Sequence, residues 1–150
     1  MLLDTSFLID LQRELAGGRA RGAAGFLKVH PEATPWISLI TWMEFGEGYP
    51  AEREEACRVF LSRFPLIVPD LAIAWRASRV SRQLRHDGSA IADHDLWIAA
   101  TALERSLPLA PAILDTSGAF RGWKSSNIEY RAGVQRCRHP AAGGWTISKN

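Results

Sequence analysis

Four acidic residues stand where an apolar chain gives them no structural reason to be. Asp4 closes the run Met1-Leu2-Leu3, Glu44 lies past a second apolar run at Trp36-Ile37, and Asp93 and Asp95 open a long apolar segment. Ionised carboxylates are costly to bury, so acids at the ends of apolar segments are not there for the core. Gathered by a fold, they would repel one another, and a hard cation such as Mg²⁺ or Mn²⁺ is the usual remedy. A metal site built from carboxylates is the leading expectation. Ordinary roles compete with it. Asp4 can N-cap a helix starting at Thr5, and Glu44 can belong to a solvated helix face. Bulky apolar neighbours, Trp42, Met43 and Phe45, argue against the latter. Asp93 and Asp95 would point about 200° apart on a helix. Asp95 shares a face with Ile98, Ala99 and Ala102, which should pack on a sheet, so Asp95 is preferred as a ligand. Asp93 fits an N-cap better and is the second choice.

The elements that would hold these acids alternate in type. Met1–Leu3, Pro35–Ile37, Pro65–Val68 and Leu107–Leu114 read as short strands. Helices are expected over Thr5–Leu15, with Phe7, Leu8, Leu11 and Leu15 on one face, and over Ala20–Val29. A third, N-capped by Ser38, should run to Glu47 before Gly48-Tyr49-Pro50 breaks it. Ala51–Phe64 should be helical, burying Ala56, Val59, Phe60 and Phe64. Asp70 should cap Leu71–His86, and Asp93 should cap a helix from His94 to Arg105. Alternating strands and helices indicate an α/β sandwich with a short, mainly parallel sheet. Ligands in such folds bind at the C-terminal ends of the strands, where Asp4 falls.

Bulk properties narrow the function. A chain of 150 residues with 47% hydrophobic content suits one globular domain. No apolar stretch approaches the ~20 residues that span a membrane. Met1-Leu2-Leu3 runs straight into Asp4, unlike a signal peptide, and Cys57 and Cys137 make no disulfide framework, so a cytoplasmic protein is expected. Four His without paired spacing argue against zinc. A phosphatase with Asp4 as nucleophile would usually carry a second Asp where Ser6 stands.

Three stretches together resemble a known family. They are Leu2-Leu3-Asp4-Thr5-Ser6-Phe7-Leu8-Ile9-Asp10, Ile40-Thr41-Trp42-Met43-Glu44-Phe45-Gly46-Glu47-Gly48, and Asp93-His94-Asp95-Leu96-Trp97-Ile98-Ala99-Ala100-Thr101-Ala102-Leu103. In this order and spacing they resemble the PIN-domain ribonucleases, and among these the VapC toxins of bacterial toxin–antitoxin pairs. The resemblance covers residues 1–109. It implies a PIN-like α/β/α sandwich and a Mg²⁺- or Mn²⁺-dependent endoribonuclease, with Asp4, Glu44 and Asp95 as the acidic triad. It also implies a homodimeric toxin neutralised by a VapB-type antitoxin, acting on RNA. The competing reading is a catalytically inactive PIN-like module that engages antitoxin or RNA. Arg76, Arg79, Arg82 and Arg85 recur every three residues and could hold RNA phosphates, with a solvated, acid-paired face as the alternative. Trp36, Trp42, Trp75 and Trp97 read as core or dimer-interface residues.

The end of the chain departs from the family pattern. Residues 1–109 carry 12 Lys/Arg against 14 Asp/Glu, whereas residues 110–150 carry 6 against 2. Pro108 and Pro111 flank what should be a central strand. Asp115 could be forced into a fourth acidic position. A family-typical ending would read Leu-Val-Thr-Arg-Asn-Thr-Arg-His-Phe-Arg-Gly-Val-Pro-Gly-Leu-Glu-Val-Ile-Glu-Tyr and then stop. With permissible codons, removing the middle base of its first Val codon yields Leu109 to Tyr130 as they stand. Residues 1–109 are therefore expected to be the PIN-like core, and residues 110–150 an aberrant, out-of-frame remainder in which Asp115 is an accident. Sequencing the gene tests this. One missing base after the Leu109 codon is the expected finding, and an uninterrupted frame through Asn150 in the natural gene rules it out.

Overall fold

The structure, a computed structural model, describes residues 1–17 and 22–110, with the backbone of 135–136 and 147–148. Strand β1 (Leu2–Leu3) leads into helix α1 (Thr5–Gly17), followed by α2 (Ala23–Val29), β2 (Trp36–Ser38) and α3 (Leu39–Glu47). A 3₁₀ turn (Ala51–Arg53), α4 (Glu54–Leu61), β3 (Leu66–Ile67), α5 (Leu71–His86) and α6 (Asp93–Arg105) complete the core. Two further strands, β4 (Gln135–Arg136) and β5 (Ile147–Ser148), pair antiparallel with each other.

The sheet is parallel, in the order β1-β2-β3, with Leu2 opposite Trp36 and Ile37 opposite Leu66. On its other side β1 bridges Leu109 in parallel. The Leu2 N–H donates to the Pro108 carbonyl and the Ala110 N–H donates to the Leu2 carbonyl, each at 2.8 Å. The expected fourth strand is thus present as this bridge. Its continuation past Ala110, with Asp115, lies outside the described residues. β1 is flanked on both sides, so the strand order reverses there, which is the switch point where such sheets place ligands.

Alternation along β1 divides the core, since successive strand residues face opposite sides. Leu3 joins Phe7, Leu8, Leu11, Ile37, Phe45, Phe60 and Leu61 on the side of α1 to α4. Leu2 joins Ile73, Ala77, Ile98, Ala100 and Ala102 on the side of α5 and α6. This is the α/β/α sandwich read from the sequence. Two apolar faces need correction. In α4 the buried residues are Cys57, Phe60 and Leu61, continued by Phe64, while Val59 is 52% exposed and Ala56 is exposed as well. The i, i+3, i+4, i+7 pattern starts one residue later than expected, and the helix ends at Leu61. Leu15 is also exposed, because α1 has passed the edge of the core there. Trp36, Trp42 and Trp97 pack on the core, but Trp75 is 64% exposed.

A buried acid joins the first two helices. Glu14 is 7% exposed, and its two oxygens accept the Ala23 and Ala24 N–H groups at 3.0 and 2.9 Å. The N-cap residue of α2, Gly22, offers no side-chain bond, so Glu14 satisfies these amides from a different helix. Glu14→Ala should therefore destabilise the fold by about 1–3 kcal/mol and Glu14→Gln, which keeps one acceptor, by less. Urea unfolding checks both. Equal stability of Glu14→Ala and the parent would contradict the assignment.

Candidate active site

Asp4 immediately follows β1. Its Oδ1 accepts the Phe7 N–H at 2.8 Å, so the carboxylate caps α1 as well as standing at the C-terminal end of the central strand. The two roles coexist, because the helix N-terminus favours negative charge.

Glu44 reaches the same place from α3. Ser38 caps that helix through the Thr41 N–H at 2.9 Å, as expected. The Thr41 hydroxyl, fully buried, then donates to the Leu3 carbonyl at 3.4 Å and ties α3 to the end of β1. Glu44 lies three residues beyond Thr41, on the same side of the helix. Both of its oxygens are engaged: Oε2 accepts the Thr5 hydroxyl, and Oε1 meets His94 Nδ1 at 2.9 Å.

Asp95 arrives on α6. Ile98, Ala99 and Ala102 are buried, which confirms the face that Asp95 shares. Asp95 itself is partly buried. Asp93 is corrected from N-cap to first helical residue. Ala92 occupies the cap with no side-chain bond, and Asp93 is exposed. Its charge still favours the helix start through the dipole.

The electrostatics record the convergence. Burial raises the Asp4 pKa to about 6, opposed by the Phe7 N–H bond and reinforced by the negative charges of Asp95, Glu44 and Asp10. Asp4 thus lies within the field of both Asp95 and Glu44, and Asp10 of α1 adds to it. Among the described residues, no group of three or more His, Cys, Asp or Glu side chains stands in an arrangement that could hold a metal ion. The donor set is nevertheless all oxygen, and an acid held up to about 6 by burial and like charge is the environment that a hard divalent cation would relieve.

The arginines separate. Arg76 Nε donates to Glu104 at 2.8 Å, which commits it to α6. Arg79, Arg82 and Arg85 are exposed along α5. Thr5 and His94 as partners of Glu44, and the field of Asp10, were not expected from the sequence. Adjacency to Asp4 for Thr5, and the flanking acids for His94, were the available signals.

A family model for the PIN domain matches residues 1–117. The chain belongs to the PIN-domain family. Ribonuclease VapC1 of Methanocaldococcus jannaschii is 33% identical over 110 residues, covering 73% of this chain and 72% of that protein. A toxin–antitoxin complex from Klebsiella pneumoniae contains a chain 30% identical, with a TM-score of 0.58, covering 80% of this chain and 92% of that one. VapBC-1 from nontypeable Haemophilus influenzae is similar at 25% identity and a TM-score of 0.59, covering 72% of this chain and 82% of that one. The PIN-like α/β/α sandwich expected from the sequence is therefore the fold, and Asp4 of this PIN domain stands at its switch point.

Asp4 makes stability depend on pH. Its pKa is about 6 when folded against 3.8 for the unperturbed group. Between those values the folded state holds the proton that the unfolded state has lost, so stability falls as pH rises through the window. Below pH 3.8 the penalty vanishes. At pH 7 it amounts to roughly 3 kcal/mol at most. Asp4→Asn stays neutral and caps a helix as well. The variant should be more stable than the parent at pH 7 by on the order of 1–3 kcal/mol, with the difference closing toward pH 4. Urea midpoints across that range check this, and a constant difference would contradict it.

Proposed function

We propose that the chain is a VapC-type endoribonuclease, the toxin of a VapBC-type toxin–antitoxin pair, which hydrolyses RNA phosphodiesters with Mg²⁺ or Mn²⁺. The observation that carries this reading is the state of Asp4 at the end of β1, where burial and the charges of Asp95 and Glu44 hold its pKa near 6. The 33% identity to a protein named Ribonuclease VapC1, and the 30% identity to a chain of a toxin–antitoxin complex, support the activity and a VapB-type partner.

In this reading Asp4, Glu44 and Asp95 hold the cation, with Asp93 at the rim. The bound ion supplies water activation and neutralises charge on the phosphoryl oxygens. The residues of the chain do the rest. Thr5 and His94 fix the Glu44 carboxylate, the Phe7 N–H holds Asp4, and the buried face of α6 aims Asp95. Arg79 and Arg82, exposed on α5, would take RNA phosphates, with Arg76 contributing less because Glu104 holds it. A homodimer belongs to the same reading, supported by the exposed apolar side chains of Leu71 (80%) and Trp75 (64%). A cytoplasmic location also belongs to it. Among the described residues no helix is long and apolar enough to cross a membrane.

The purified chain with Mg²⁺ or Mn²⁺ should cut RNA, and EDTA should abolish cutting. Asp4→Asn and Asp95→Asn should each reduce the rate by about 100-fold or more, while remaining folded. Cleavage assays with circular dichroism as the folding control check this. A parent chain that binds antitoxin but leaves RNA intact would instead establish a non-catalytic binding module.

A further inference from the structure

Glu44 is bonded at both carboxylate oxygens, and the two partners come from distant segments. Thr5, just after β1, donates its hydroxyl to Oε2. His94, at the start of α6 and 50 residues away in sequence, meets Oε1 through Nδ1 at 2.9 Å. A carboxylate oxygen accepts, so Nδ1 is the donor, and the contact fixes both tautomer and ring orientation. The Glu44 side chain is 24% exposed and that of His94 45%. The imidazole is therefore not a core residue, and nothing in apolar packing calls for it there.

The magnitude of the contact separates its possible roles. A partly exposed pair of this kind contributes little to stability. Its effect on geometry is larger. A glutamate side chain has several rotatable bonds, and the like charge of Asp4, with which Glu44 interacts, favours its moving away. One hydrogen bond from Thr5 leaves the carboxylate free to swing about that bond. Two bonds, one to each oxygen and from opposite segments, remove the swing.

We propose that His94 is a positioning residue for Glu44. From the start of α6 it holds the carboxylate of α3 beside Asp4 and Asp95, so that the acid group is set before any cation or RNA arrives. This rests on the metal-dependent nuclease reading for its consequence, although the contact is a property of the chain alone. Partners behind a ligand orient it, and their loss lowers metal affinity or activity by about 10–100-fold.

The test compares the full-length parent with His94→Ala and His94→Asn. The Asn amide N–H falls close to the place of Nδ1 and can donate to Glu44, but it lacks the rest of the ring. His94→Ala should bind Mn²⁺, read by electron paramagnetic resonance, about 10-fold more weakly, and should lower kcat for RNA by a similar factor with KM within about 2-fold. His94→Asn should restore most of both, with all three unfolding midpoints alike. Unchanged Mn²⁺ affinity and kcat in His94→Ala, or an Asn variant as impaired as Ala, would overturn the proposal. A third arm needs neither metal nor RNA. The His94 ring nitrogen resonances should shift in Glu44→Ala, and their constancy would show that the contact does not exist in solution. A parent that neither binds Mn²⁺ nor cuts RNA would sink the nuclease reading, and the ring resonances would then decide on His94 by themselves.

Discussion

Like charge gathered at one end of a short parallel sheet is the constraint on which the rest of this structure turns. Asp4 follows the central strand directly, and the strand order places it where β1 has neighbours on both sides. Left to themselves, Asp4, Glu44 and Asp95 would separate. The fold answers with local donors: the Phe7 N–H on Asp4, and the Thr5 hydroxyl and His94 ring on Glu44. Each is supplied by the first residues of a helix that the acid itself helps to start or that packs against it. The buried Thr41–Leu3 contact then fixes α3 to β1, so the acids cannot move apart without disturbing the core.

The far side of the sheet holds α6 in place by a second set of ion pairs. Arg76 of α5 bonds Glu104, and Arg105 of α6 reaches Asp70, the cap of α5, at 2.6 Å. The Ile73 N–H and then the Arg105 guanidinium keep the Asp70 carboxyl below the usual carboxylate range. Cap and ion pair thus share one carboxylate, and the start of α5 is joined to the end of α6. With Ile98, Ala100 and Ala102 packed beneath, α6 has little freedom to slide. Asp95 is consequently aimed by packing that lies mostly well away from it.

Much of this was legible in the residues. Strong helical periodicity located α5 and α6, and Ser38 and Asp70 were legible as the caps of α3 and α5. The face of Asp95 followed from Ile98, Ala99 and Ala102, whose small side chains permit close packing. What failed had local causes. In α4 the run Ala56-Cys57-Arg58-Val59-Phe60-Leu61 admits two apolar stripes, and only tertiary packing chose Cys57, Phe60 and Leu61. Asp93 looked like a cap because acids favour that position, yet Ala92 has the extended backbone and Asp93 is already helical. The arginine repeat left an acid-paired face open as the alternative, and Glu104 pairs with its first member, Arg76. The partners of Glu44 were beyond reach for a different reason: they sit 39 and 50 residues from it, and spacing along a helix says nothing about such contacts.

The bridge between Leu2 and Leu109 has a consequence for how the molecule comes into being. The centre of the sheet is made from the chain's first residues and from residues about a hundred positions later. Such distant pairing is slow to form, because the loop between its ends must close first. A ribosome synthesising this chain releases Asp4 and Glu44 long before α6 and the closing strand emerge. The nascent chain therefore carries an incomplete acid group until α6 and the closing strand have emerged.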